Sequence, residues 1–122
     1  MDRLILWLRI EGALVFAAGV AVQFHYSELD WWVAVLVFFA PDLSFAAYAL
    51  GPRVGAFVYN AVHVYAFGAV VFAAGILLGI PVIAALGILW LAHSGFDRMF
   101  GYGLKSDESF HQTHLGPIGR GR

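Results

Sequence analysis

Two aspartates and two histidines, Asp42, His63, His93 and Asp97, are the residues of this chain best suited to chemistry. Imidazole and carboxylate groups are good ligands for Zn, Mn or Fe. His93 and Asp97 are four positions apart, so a helix brings them to one face. Tyr59 and Asn60 precede His63 by four and three positions, so all three border a single helical face. Together the four residues would form a two-histidine, two-carboxylate site for a divalent ion, and such an ion turns bound water into a nucleophile near neutral pH. Glu11 would then serve as a spare ligand or general base, and Tyr59 or Asn60 as a hold on a substrate oxygen. Arg98 and Lys105, near the mouth of such a site, could meet a phosphate or a carboxylate. His111 and His114 have ligand-like spacing but lie in a polar stretch that reads as a solvated tail.

The segments that must position these groups are unusually apolar. The chain is 61% hydrophobic and 12% charged, where soluble domains are nearer half and a quarter. That composition indicates a membrane protein. The net charge of -1 gives no reason to expect a nucleic-acid partner, and the absence of cysteine excludes disulfides and thiolate ligands. An all-α bundle of four transmembrane helices is expected, at about 4–24, 31–50, 54–78 and 81–100, with 101–122 as a cytoplasmic tail. Arg9 and Glu11 interrupt the first apolar run, and no small-x-small cleavage site follows, so it reads as a span rather than a signal peptide. Trp31 and Trp32 open the second span at an interfacial position. Pro41 should kink or break that span near Ala40 and leave Asp42 beside irregular backbone. Gly75 and Gly79 have the spacing of a GxxxG packing motif. All seven Lys and Arg fall at one end of a four-span arrangement, which places both termini in the cytoplasm; the membrane expected is the inner (plasma) membrane.

At ~1.5 Å of rise per residue from the basic ends, Glu11, Asp42, Asn60, His63 and His93 come out roughly 9–13 Å deep, with Asp97 at about 5 Å. The other half of every span is almost purely apolar. The polar groups therefore form one layer, read as a chamber open to the cytoplasm. A metal-dependent hydrolase acting on a lipid or amphiphile from the inner leaflet is the leading expectation. Another reading is a non-enzymatic helper or binding subunit, in which the polar layer fixes helix packing within a membrane complex. The third is a haem protein with His63 and His93 as axial ligands. Four short spans enclose little volume, so the partner expected beside the bilayer is a second copy or another membrane protein.

Several linked motifs resemble one family. They are Pro41-Asp42-Leu43-Ser44, Gly51-Pro52-Arg53-Val54-Gly55-Ala56, Tyr59-Asn60-x-x-His63 and Ala92-His93-Ser94-Gly95-Phe96-Asp97-Arg98, extended by Gly101-Tyr102-Gly103-Leu104-Lys105 and Thr113-His114-Leu115-Gly116. On these residues the chain resembles the domain-of-unknown-function 4260 family, which implies a small bacterial integral membrane protein and assigns no reaction. A looser similarity is to membrane metal hydrolases of the alkaline-ceramidase type. Those carry a late His-x-x-x-His where this chain has His93-x-x-x-Asp97, and Ser-x-x-x-His where it has Asn60-x-x-His63.

Overall fold

The computed structural model describes residues 3–104, which are helical with no strand among them. In order the elements are α1 (Arg3–Tyr26), α2 (Trp31–Phe39), a 3₁₀ segment (Ala40–Leu50), α3 (Pro52–His63), α4 (Tyr65–Leu78) and α5 (Pro81–Met99). Two stretches are long and apolar enough to cross a membrane, Arg3–Tyr26 and Trp31–Leu50. A third is added if α3 and α4, bent by 48° at their junction, count as one span. Large apolar side chains face outward, among them Leu77 (85% exposed), Phe24 (82%) and Leu43 (78%). A surface of that kind suits lipid rather than water.

The core sits around α5, which packs against α1 on one side and α4 on another. Both seams are made from small residues. A Cβ on Gly12 would stand 2.8 Å from the Gly95 carbonyl oxygen, and one on Gly95 would stand 2.6 Å from that of Gly12. On the other side Gly68 and Gly87 are related in the same way, each 2.8 Å from the other's carbonyl. Gly19 meets Ala92, and Gly75 meets Ala84. Lipid tails are as apolar as leucine, so close backbone approach is what holds such helices together. Gly75 therefore packs as expected of a small residue, but Gly79 is not part of the same seam. It adopts a left-handed φ of 68° and ends α4.

Both α4 and α5 stop in the same way. Ile80 N–H donates to Gly75 O and Gly79 N–H to Ile76 O; Tyr102 N–H donates to Asp97 O and Gly101 N–H to Arg98 O. These are Schellman closures, which satisfy carbonyls left without partners at a helix end and need a glycine in the left-handed region. Arg9 adds a further cap from α1, its Nε donating to the Met99 carbonyl at 2.9 Å. A cation there also complements the negative end of α5.

The α2 side is built differently. Pro41 has no N–H to give the Val37 carbonyl four residues back, so the α-helical ladder fails there. Ala40 N–H turns to Val37 O, beginning the tighter 3₁₀ winding, and the Trp90 indole donates to the same carbonyl at 2.9 Å. The break expected near Ala40 is thus the point at which α2 ends. The single span expected over 54–78 is instead divided. Val64 is extended (φ -75°, ψ 148°) between α3 and α4. The 3₁₀ segment packs chiefly on α3 and only lightly on α5.

Candidate metal centre

Both backbone irregularities deliver a ligand. Asp42 lies in the first turn of the 3₁₀ segment, just after Pro41, and His63 is the last residue of α3, just before the break at Val64. α5 contributes His93 and Asp97, one turn apart on the face turned toward α3. Non-helical backbone at membrane depth is tolerated only where protein or a cavity surrounds it. Here it surrounds four ionisable side chains.

One potential ligand atom from each of the four residues lies within 4.8 Å of every other. His93 Nε2 is 3.1 Å from Asp42 Oδ1 and 3.3 Å from Asp97 Oδ2. His63 Nε2 is 3.4 Å from Asp42 Oδ1, 3.6 Å from Asp97 Oδ2 and 3.3 Å from His93 Nε2. A tetrahedral centre with metal–ligand bonds of 2.0–2.1 Å has ligand–ligand edges of about 3.3–3.4 Å. Five of the six edges are thus close to the size that a zinc-like ion requires. Two carboxylates with two neutral imidazoles would also balance a divalent charge.

A hydrogen bond orients His63, whereas His93 is held by ring contacts and its buried Nδ1 has no hydrogen-bond partner among the described residues. His63 Nδ1 is 2.8 Å from the Tyr59 carbonyl oxygen. A carbonyl only accepts, so Nδ1 carries the proton, and Nε2 would be the nitrogen left to offer a lone pair to an ion. The Tyr59 ring lies flat on His63, with centroids 3.7 Å apart and planes 10° from parallel, and Phe45 stacks on its other face at 5.4 Å. His93 is walled by Phe38 and Phe39, edge-on at 5.1 and 6.1 Å. His63, His93 and Asp97 are buried, whereas the Asp42 side chain is 35% exposed. Asp42 is therefore the ligand on the open side.

The remaining expected site residues have other positions. Tyr59 adjoins the cluster as the residue that orients His63. Asn60 is half-buried one position further along, and its carbonyl accepts Val64 N–H at the end of α3. Glu11 lies outside the group of four, on an exposed surface of α1 shared with Trp7 and Leu14. Arg98 is not at an open mouth: it is 6% exposed, with its guanidinium 5.3 Å from the centre of the Tyr65 ring. Lys105, His111 and His114 lie outside the described residues. Sequence reasoning missed Phe38 and Phe39, although their places three and two residues before Pro41 put them next to the break. A haem between the histidines does not fit. Axial nitrogens at ~2.0 Å on either side of an iron would stand about 4 Å apart with a porphyrin between them. The observed 3.3 Å is shorter, and Asp42 and Asp97 approach the same space.

A family model described as a domain of unknown function (DUF4260) matches residues 5–118. No curated protein and no solved structure matches the chain.

Proposed function

Since the chain belongs to the DUF4260 family, whose description names no activity, its function has to be read from the cluster, and we propose that it is a membrane protein built around one divalent metal ion. Asp42, His63, His93 and Asp97 are the ligands. The observation that carries the proposal is the set of five separations between 3.1 and 3.6 Å among their ligand atoms. Zinc suits that size best, with Mn and Fe as the other ions compatible with nitrogen and oxygen donors.

The reaction class that we assign is metal-assisted hydrolysis of a lipid or other amphiphile. A hydrolytic zinc ion has three protein ligands and a water in the fourth position, so one of the four groups would give way to water. The half-exposed Asp42 marks the side on which that position opens. The membrane arrangement that goes with this reading is a four-span bundle: α1, then α2 with the 3₁₀ segment, then α3 with α4, then α5. α5 has 19 residues, about 28 Å of helix, close to the ~30 Å hydrocarbon thickness. Both termini would then be cytoplasmic, beside Arg3, Arg9, Arg53 and Arg98.

The test is hydrolysis of fluorogenic ester and amide amphiphiles by the full chain in liposomes, with Zn, Mn or Fe supplied. Turnover by the native chain, lost when Asp42→Ala and His93→Ala are combined, is the expected result. Turnover that survives the double change would overturn the assignment. One specific observation favours a second reading, a purely structural layer. The two histidines and two carboxylates already pair with one another, so they could join the 3₁₀ segment, α3 and α5 without an ion. In that case the double variant would lose stability while the native protein held no metal.

A further inference from the structure

α1 and α2 follow one another in the chain, yet their backbones do not pack together. A groove of about 570 Å³ separates them, within the range of small-molecule sites. Phe16, Val20 and Gln23 line it from α1, Ser27 from the link, and Trp31, Val35 and Phe38 from α2. Those spacings of three, four and seven residues set one face of each helix toward the gap. Phe16, Phe38 and Phe96 meet at 5.3–6.0 Å and close the far end.

One lining residue is out of keeping with so apolar a groove. Gln23 is 8% exposed, and its buried Oε1 has no hydrogen-bond partner among the described residues. A buried amide oxygen left unpaired is disfavoured by more than a typical hydrogen bond contributes. The oxygen accepts, so its missing partner is a donor. Lipid tails surround a groove of this kind in any case, but plain hydrocarbon would leave Gln23 unpaired. We infer that the groove binds a single-chain amphiphile, with an O–H or N–H head donating to Gln23 Oε1 and its chain lying along α2 to the Phe16–Phe38–Phe96 floor. The α2 helix from Trp31 to Phe39 is about 13 Å long, room for roughly ten carbons in an extended chain. None of the four ligands lines this site, which adjoins them only through Phe38 and Phe39 and does not require an ion.

The test uses the full chain in lipid nanodiscs and two photoreactive probes: dodecan-1-ol with a diazirine near its methyl end, and the methyl ether of the same molecule. The alcohol should label peptides containing Phe16, Phe38 and Phe96 about five-fold more than the ether, the factor that one net hydrogen bond supplies. Gln23→Leu should bring the alcohol down to the level of the ether, whereas Gln23→Glu, which keeps an acceptor, should preserve labelling. Val35→Trp should fill the groove and abolish the signal, with helicity unchanged by circular dichroism. Equal labelling by alcohol and ether, full labelling of Gln23→Leu, or adducts spread over outward residues such as Leu43 and Leu77 would overturn the inference. So would crosslinks from the groove to a second copy, which would make it a dimer seam.

Discussion

The two sides of α5 are held by different physics. Toward α1 and α4 the contacts are close, made through Gly12, Gly19, Gly68, Gly75, Gly87 and Gly95, with backbone almost against backbone. Toward α2, the 3₁₀ segment and α3 the contacts are fewer. They run through aromatic rings, one indole hydrogen bond and the four ionisable groups. The first side has no room to move. The second carries both backbone breaks and supplies two of the four ligands. The difference suggests a division of labour: α1, α4 and α5 form a platform that fixes His93 and Asp97, and a more loosely attached arm brings Asp42 and His63 to it.

Filling a seam should break the platform, with the largest effect. A Cβ at Gly87 already overlaps the Phe72 amide nitrogen, so Gly87→Val forces the helices apart. A loss of at least about 3 kcal/mol is expected, seen as a lower unfolding midpoint in detergent that added metal does not restore. An unchanged midpoint would show that the seam is not tightly packed.

Removing the arm's hold on an ion should be more selective. In the His63→Ala, His93→Ala double variant, the stabilisation by added Zn should vanish. For the native chain that stabilisation is about 2.7 kcal/mol at a concentration 100-fold above Kd. Parallel thermal melts with and without Zn would read it, and an equal Zn shift in both proteins would contradict the ligand set. Smaller still is Trp90→Phe, which removes the indole bond to Val37 O. It should lower stability by about 1 kcal/mol and loosen α2, measured as faster amide exchange in Trp31–Phe39; unaltered exchange would mean that this bond does not anchor the arm. Arg9→Met removes the cap at the end of α5 and should lower stability by roughly 0.5 kcal/mol. A loss as large as that of Gly87→Val would make the cap part of the platform.

Much of the cluster was readable before any coordinates. Asp42, His63 and His93 come out at a shared depth because the rise along a helix converts position into height, and Asp97 joins them only through its place one turn after His93. Pro41 announced the end of α2 through its missing N–H. Depth gives no angle around the helix axis, and for that reason Glu11, at a similar height, could not be told from a ligand; it faces outward instead. Arg98 was misplaced for a related reason: the Tyr65 ring beneath it belongs to another helix. The break at Val64 left no mark, since a β-branched residue in an apolar run reads equally as continuing helix. The left-handed role of Gly79 was hidden by its spacing from Gly75, which fits a packing motif as well as a helix stop.

Asp42, His63, His93 and Asp97, from three elements, are proposed to hold one ion. The most direct measurement is the metal content of gently purified full-length protein, by elemental analysis, beside the His63→Ala, His93→Ala double variant. Close to one Zn, Mn or Fe ion per native chain, and almost none in the variant, is the expected result. Metal-free native protein that also fails to take up ions when they are supplied, or equal metal in both proteins, would contradict it.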